Sequence, residues 1–166
     1  MVVEQTSTVA LHRHEVISDR SFDDVLAAVH GGLGTTDFGA LERRLEAIDD
    51  WIAYQAVVAD QAGSSGLMVF LELDLGSVVQ RDPDAFAYRV VRVIAGNPVT
   101  MESMVRTSPA AGAFAPVTIL IFERDDGVHL RYDTLTSAAA GQLSAEALVH
   151  AEMLDAAVLS LLRAAA

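Results

Sequence analysis

The chain has 166 residues, 52% hydrophobic and 20% charged, with 11 basic and 23 acidic side chains and a net charge of −12. That length builds one domain with a core of its own, while the acidic balance argues against a basic patch for nucleic acid or an anionic membrane surface. The absence of cysteine excludes disulfides, thiol nucleophiles, iron–sulfur clusters and cysteine-held zinc.

The opening stretch "MVVEQTSTVALHRHEV" has no basic region leading into an apolar one, so no signal peptide is expected. No run approaches the roughly 18 apolar residues of a membrane span. A soluble cytoplasmic protein is the expectation, and the wealth of Ala, Val, Leu and Arg with no Lys suggests a GC-rich bacterial genome.

Residues 6–17 alternate, with Val9, Leu11 and Ile17 on one parity, and predict a first strand exposed on one face. "SDRSFDDVLAAVHGGLG" reads as a helix. Ser21 is its N-cap, Asp23 and Asp24 sit in its first turn, Phe22, Val25, Leu26 and Val29 form its stripe, and Gly31-Gly32 is its stop. Residues 39–62 are helical in period, with Asp49-Asp50 marking a break between two helices. Gly63-Ser64-Ser65-Gly66 is a turn. "LMVFLELDLG" alternates cleanly, placing Leu67, Val69, Leu71, Leu73 and Leu75 on one face and Met68, Phe70, Glu72 and Asp74 on the other.

"AFAYRVVRVIA" (85–95) is a β-branched strand that ends at Gly96-Asn97-Pro98, followed by a short helix over about 100–106. "APVTILIF" (115–122) and "GVHLRYD" (127–133) form a hairpin with Asp126-Gly127 as its turn signal. The last 24 residues form a long helix capped by Ser144, with a stripe of Leu148, Ala151, Leu154, Val158 and Leu161-Leu162. About five strands mixed with helices predict a single α+β domain over residues 1–166. Its architecture is two layers, a largely antiparallel sheet with helices packed on one face.

With these elements placed, the chain resembles the bacterial and archaeal family known as domain of unknown function 302 (DUF302), over about residues 15–162. "SFDDVLAAVHGGLG", "LELD", "YRVVRVIAGNP", "APVTILIFERDDGVHLRYD" and "AEMLDAAVLSLL" carry the resemblance by their order and spacing. It implies a compact two-layer α+β domain that pairs as a homodimer, and it implies no activity, because the family has none assigned. The chain also departs from the pattern. Some relatives place Cys where Gly96 stands, so a thiol role does not carry over. "YDTLTS" replaces Tyr-Asp-x-Pro-Ser, and Leu75 stands where a subgroup has His.

The candidate chemistry is sparse. Glu72 and Asp74, two apart on a strand, share a face with Cβ atoms about 7 Å apart. Beside Phe70 and Met68 they are candidates for an acid and a base with raised pKa values; the plain alternative is a solvated sheet face or a charged edge. At the corner, Gly96 allows close approach, Asn97 bonds backbone or ligand, and Thr100 starts a helix whose N–H groups favour an anion or carbonyl oxygen. The plain alternative there is a tight strand-to-helix turn.

His12 and His14 share a strand face, but no third metal ligand is identifiable, and exposed histidines explain them. Glu146 and His150 make an i,i+4 contact. Asp155, near the apolar stripe of the last helix, needs a partner, for which Arg92 and Arg131 are the candidates. There is no Gly-x-Ser-x-Gly elbow, no dinucleotide fingerprint and no phosphate loop with its Lys. No cofactor is expected.

Three functions follow from the residues. The first is a binder of an apolar or aromatic small molecule in a pocket between sheet and helices, bordered by Phe70, Gly96, Asn97, Thr100, Met101, Met104 and the Glu72/Asp74 strand. The second is a cofactor-independent proton-transfer enzyme (isomerase, cyclase or lyase) with Glu72 or Asp74 as base and Asn97 or backbone N–H groups holding an oxyanion. The third is a dimeric interaction module without a pocket.

Overall fold

A computed structural model describes residues 1–34, 37–85 and 88–166. Five strands, β1 (Arg13–Ser18), β2 (Met68–Asp74), β3 (Val90–Gly96), β4 (Val117–Arg124) and β5 (Gly127–Asp133), form one sheet. Its order is β1-β5-β4-β3-β2 and every neighbouring pair is antiparallel. Of the strand expected over 85–95, residues 90–95 lie in β3, while Phe86 and Ala87 lie outside the described residues. The first strand is shorter than its expected span of 6–17, starting at Arg13.

The register sorts the side chains. Val91, Val93 and Ala95 pair with Ile121, Ile119 and Val117, and all six are buried. Helices cover this face. α1 (Phe22–Gly32) begins at Ser21, whose Oγ accepts the Asp24 N–H at 3.2 Å, and runs through both glycines expected to stop it. α7 (Ala145–Ala165) buries Ala151, Leu154, Val158 and Leu162, the three-to-four spacing of a core-facing stripe, whereas Leu148, expected in that stripe, is exposed and Ala147 is buried instead. The expected α+β architecture with an antiparallel sheet and a helical layer is what the chain forms.

α2 (Phe38–Glu46) and α3 (Trp51–Gln61) are separated where the Asp pair predicted a break. The Asp50 carboxylate accepts the Ala53 N–H at 2.7 Å and starts the second helix. Leu41, Leu45 and Val58 join Met68 in a second, smaller apolar cluster, against which Phe70 and Val99 pack.

β2 is where the alternation breaks. Val69 pairs with Ala95 but Leu71 pairs with Ile94, so Phe70 is an extra, bulged residue. Beyond it, Glu72 and Asp74 align with Val93 and Val91 on the helix-bearing side, while Leu71 and Leu73 align with Ile94 and Arg92 on the other. Strict alternation puts Leu71 with Val69, and Glu72 with Phe70. One inserted residue undoes both pairings.

α5 (Pro98–Val105) follows β3 directly. Two one-turn helices, α4 (Gly76–Val79) and α6 (Leu135–Ala138), and a 3₁₀ turn over Pro109–Ala113 were not expected from the sequence. At the hairpin, Gly127 adopts φ +135°, a conformation that side chains disfavour.

α6 explains Asp155. Its carboxylate accepts the Tyr132 hydroxyl at 2.5 Å, the Leu135 N–H at 2.8 Å and the Thr136 N–H and hydroxyl at 3.1 and 2.7 Å. No arginine takes part: Arg131 binds Glu15 at 2.5 Å and Arg92 reaches Thr118 at 3.3 Å. The buried acid is satisfied by a short helix start rather than by a cation. Among the described residues, no helix is long and apolar enough to cross a membrane.

Candidate functional site

The Gly96-Asn97-Pro98 corner turns β3 into α5. Asn97 is extended (φ −142°, ψ 121°), and its Oδ1 accepts the N–H groups of Val99 at 2.9 Å and Thr100 at 3.3 Å. Its Nδ2 donates to the Gly66 carbonyl at 2.9 Å, tying the corner to the 63–66 turn. Pro98, without an N–H, suits the first helical position. The amide is therefore spent on a helix cap and a loop tie, and it closes off the N–H groups that a helix start offers an anion.

Gly96 matters for space. A Cβ there would lie 3.2 Å from Pro116 Cβ and 3.3 Å from Phe70 Cε2. The bare backbone lets the bulged Phe70 ring lie against the strand end. Phe70 in turn meets Phe38 of α2, ring centroids 4.5 Å apart and tilted by 36°.

Around these rings lies a cavity of about 470 Å³, within the ~300–1,000 Å³ usual for small-molecule sites. Met104 and Leu154, both buried, form its deep end. Phe38, Phe70, Tyr54, Leu45 and Pro116 form walls, and Met101 lines it while 37% exposed. α2 presents Phe38, Glu42, Leu45 and Glu46 to it, positions that fall on one helical stripe. The Tyr54 ring stacks on Trp51 at 5.2 Å, and its burial raises the phenol pKa above the ordinary value.

Phe70, Gly96, Asn97, Met101 and Met104 all line this cavity. Thr100 does not, its N–H being held by Asn97. Glu72 and Asp74 lie outside it. Glu72 Oε2 is 2.5 Å from His30 Nε2 of α1. Asp74 accepts the Ser77 N–H at 2.9 Å, and its carbonyl accepts the Ser77 hydroxyl at 2.9 Å, starting α4. Past the bulge at Phe70, Glu72 meets α1 and Asp74 meets α4, and neither lines the cavity.

Phe38, Glu42, Glu46, Tyr54 and Pro116 were not singled out from the sequence. Glutamates one turn apart read as a solvated face, and only their spacing from Phe38 and Leu45 could have flagged them. His12 lies before β1, where its N–H donates to Ser137 Oγ at 2.9 Å, and His14 pairs with Tyr132. Among the described residues no group of three His, Asp or Glu is placed to hold a metal ion. Glu146 pairs with Arg106 rather than with His150.

The sheet's other face carries a charged cluster. His129 is buried, with Nδ1 2.8 Å from Glu15 Oε1 and Nε2 2.9 Å from Asp126 Oδ1. Its ring stacks on Phe122 at 4.9 Å. Burial opposes the imidazolium charge, but the two carboxylate contacts outweigh it and raise the pKa above 6.5. A wide hollow of about 780 Å³ also touches this face, where residues 7, 9 and 11 pass near Arg92, Leu120, Arg131 and Asp133. Its lining mixes both charges and follows no single ligand chemistry.

The family model described as "Domain of unknown function DUF302" matches residues 46–161. A solved structure described as an uncharacterized conserved protein DUF302 from Bacillus stearothermophilus is similar in fold, with a TM-score of 0.65 at 10% identity, covering 93% of this chain and 98% of that one. At that identity the likeness speaks for the fold alone. No curated protein matches the chain.

Proposed function

The chain belongs to the DUF302 family, whose description assigns no activity, and we propose from the site itself that it binds an apolar or aromatic small molecule in the cavity at the end of β3. One observation carries this reading. A ligand-sized cavity with apolar, aromatic walls stands where the groups expected to do chemistry are already engaged elsewhere. Asn97 is consumed as a cap and tie, and Glu72 and Asp74 serve His30 and α4 outside the cavity.

That arrangement favours binding over proton transfer. A general base must reach the proton it removes, and an oxyanion hole needs free donors aimed at one point. Neither Glu72 nor Asp74 lines the cavity, Glu42 and Glu46 line it from exposed positions on α2 rather than from its buried end, and the Val99 and Thr100 N–H groups already bond to Asn97. The direct test is calorimetric titration with 2-naphthylmethanol, a neutral aromatic probe. A single saturable site supports the reading, and the absence of any saturable heat contradicts it.

Self-pairing is a second part of the proposal. The family resemblance implies it, and Ile17, Leu71 and Leu73 stand exposed on the sheet face opposite the one that buries Val91, Val93 and Ala95. A second copy of the chain is the occupant that would cover them by an isologous contact. Sedimentation equilibrium tests it: a dimer mass that Leu73→Glu reduces to a monomer mass supports pairing through this face. A monomer at all concentrations contradicts it.

A further inference from the structure

We infer that the cavity selects ligands joining an aromatic or alkyl body to a positively charged head, such as a primary or quaternary amine, over neutral and anionic isosteres. This rests on the reading of the cavity as a binding site. The charge of its lining is one-sided. Glu42 and Glu46, one turn apart on α2, both line it, and neither makes an ion pair or hydrogen bond among the described residues. No arginine or histidine lines it, and the chain has no Lys to reach in.

The neighbouring cations do not compensate. Arg43 and Arg44 share α2 with the two acids but do not line the cavity. Arg106, just beyond the lining residue Val105, is held by Glu146. The feature that most often draws an anion, the start of α5, is closed: Pro98 has no N–H, and Asn97 occupies those of Val99 and Thr100. An anionic head would therefore meet two carboxylates and no donor cation.

A cationic head meets the reverse. The negative faces of the Phe38, Phe70 and Tyr54 rings attract it. The Tyr54 hydroxyl, with no hydrogen-bond partner among the described residues, is available to accept an ammonium N–H. Each exposed carboxylate contributes modestly. The rings hold the apolar body deep, toward Met104 and Leu154, and the acids meet the head at the exposed rim.

The test titrates three isosteres into the full chain by calorimetry: 2-naphthylmethylammonium, 2-naphthylmethanol and 2-naphthoate. The ammonium is expected to bind about fivefold tighter than the alcohol, and the carboxylate weakest. Glu42→Gln/Glu46→Gln is expected to erase most of that preference, and urea unfolding of the variant reports separately that it is folded. Equal affinity for ammonium and alcohol overturns the charge selectivity but leaves the cavity as a binding site. A preference that survives the double variant overturns the role of the two acids. Failure of all three probes overturns the cavity reading and this inference with it.

Discussion

Gly96 and Phe70 meet so closely that a methyl group on Gly96 would sit 3.3 Å from the Phe70 ring and 3.2 Å from Pro116. The glycine is required here for volume, since its backbone is not in the left-handed region. Gly96→Ala is expected to fold, to lose about 1 kcal/mol, and to push the Phe70 ring into the cavity. Urea unfolding measures the first effect and probe titration the second. A variant that binds 2-naphthylmethanol as tightly as the parent contradicts the role given to this contact.

Asn97 caps α5 and ties it to Gly66, so Asn97→Ala should remove both bonds. The expected loss is roughly 1–2 kcal/mol, or about 3–6 °C in Tm for a chain of this size. Asn97→Asp restores an acceptor for the Val99 and Thr100 N–H groups but not the donor to Gly66, so its Tm should fall between the two. If Asn97→Ala leaves Tm unchanged, the corner is not the structural joint described.

Asp155 is the acceptor for Tyr132, Leu135 and Thr136. Asp155→Ala removes the main acceptor of the buried Leu135 N–H, leaving it only the long 3.4 Å contact to the Tyr132 hydroxyl, and the acceptor of the part-buried Thr136 N–H, an expected cost of roughly 3 kcal/mol by denaturant unfolding. Tyr132→Phe removes one bond and should cost about 1 kcal/mol. The Tyr132 phenol, pushed above its ordinary pKa by burial and the neighbouring carboxylate, should show no ionisation in an ultraviolet titration until the chain unfolds.

His129 gives a pH dependence with a defined sign. Its pKa is raised above 6.5 in the folded chain, so its stabilising contribution is complete below 6.5 and is lost as pH climbs through the raised value. Glu15, through Arg131 and His129, and Asp126, through His129, are lowered from 4.5 and 3.8, so their contributions hold above those values and fade as pH falls through the lowered ones. The cluster should therefore stabilise most between about pH 4.5 and 6.5. The stability gap between the parent and His129→Gln, measured by urea unfolding, should be larger at about pH 5.5 than at about pH 8.5. A gap that is constant or grows with pH contradicts the assignment.

Much of the fold was legible because local signals agreed with burial. Ser21, Asp50 and Ser144 stand where caps should, and each accepts an N–H from the first turn. The hairpin follows from its period and the Asp126-Gly127 turn, and the stripe of α7 follows from period except at Leu148, which is 39% exposed. The site was only half legible. The corner residues announce themselves by type, but the bulge at Phe70 is one inserted residue in an otherwise perfect alternation, and nothing in Val69-Phe70-Leu71 marks it. That slip carries Glu72 and Asp74 to the other side of the strand. Glu42 and Glu46 were hidden for a different reason: their partners across the cavity come from β2, the corner and α7, which sequence spacing does not connect. Asp155 needed the one-turn helix α6, too short to show a period.

The most direct test of the account fills the cavity. Met101 lines it from an exposed position, so Met101→Trp should occupy the space with little loss of stability. By calorimetry, 2-naphthylmethanol should bind the parent at one site, bind Met101→Trp at least tenfold more weakly, and bind Glu72→Gln/Asp74→Asn as it binds the parent. Binding that the filled cavity leaves intact, or that vanishes with the two acids instead, would contradict the account.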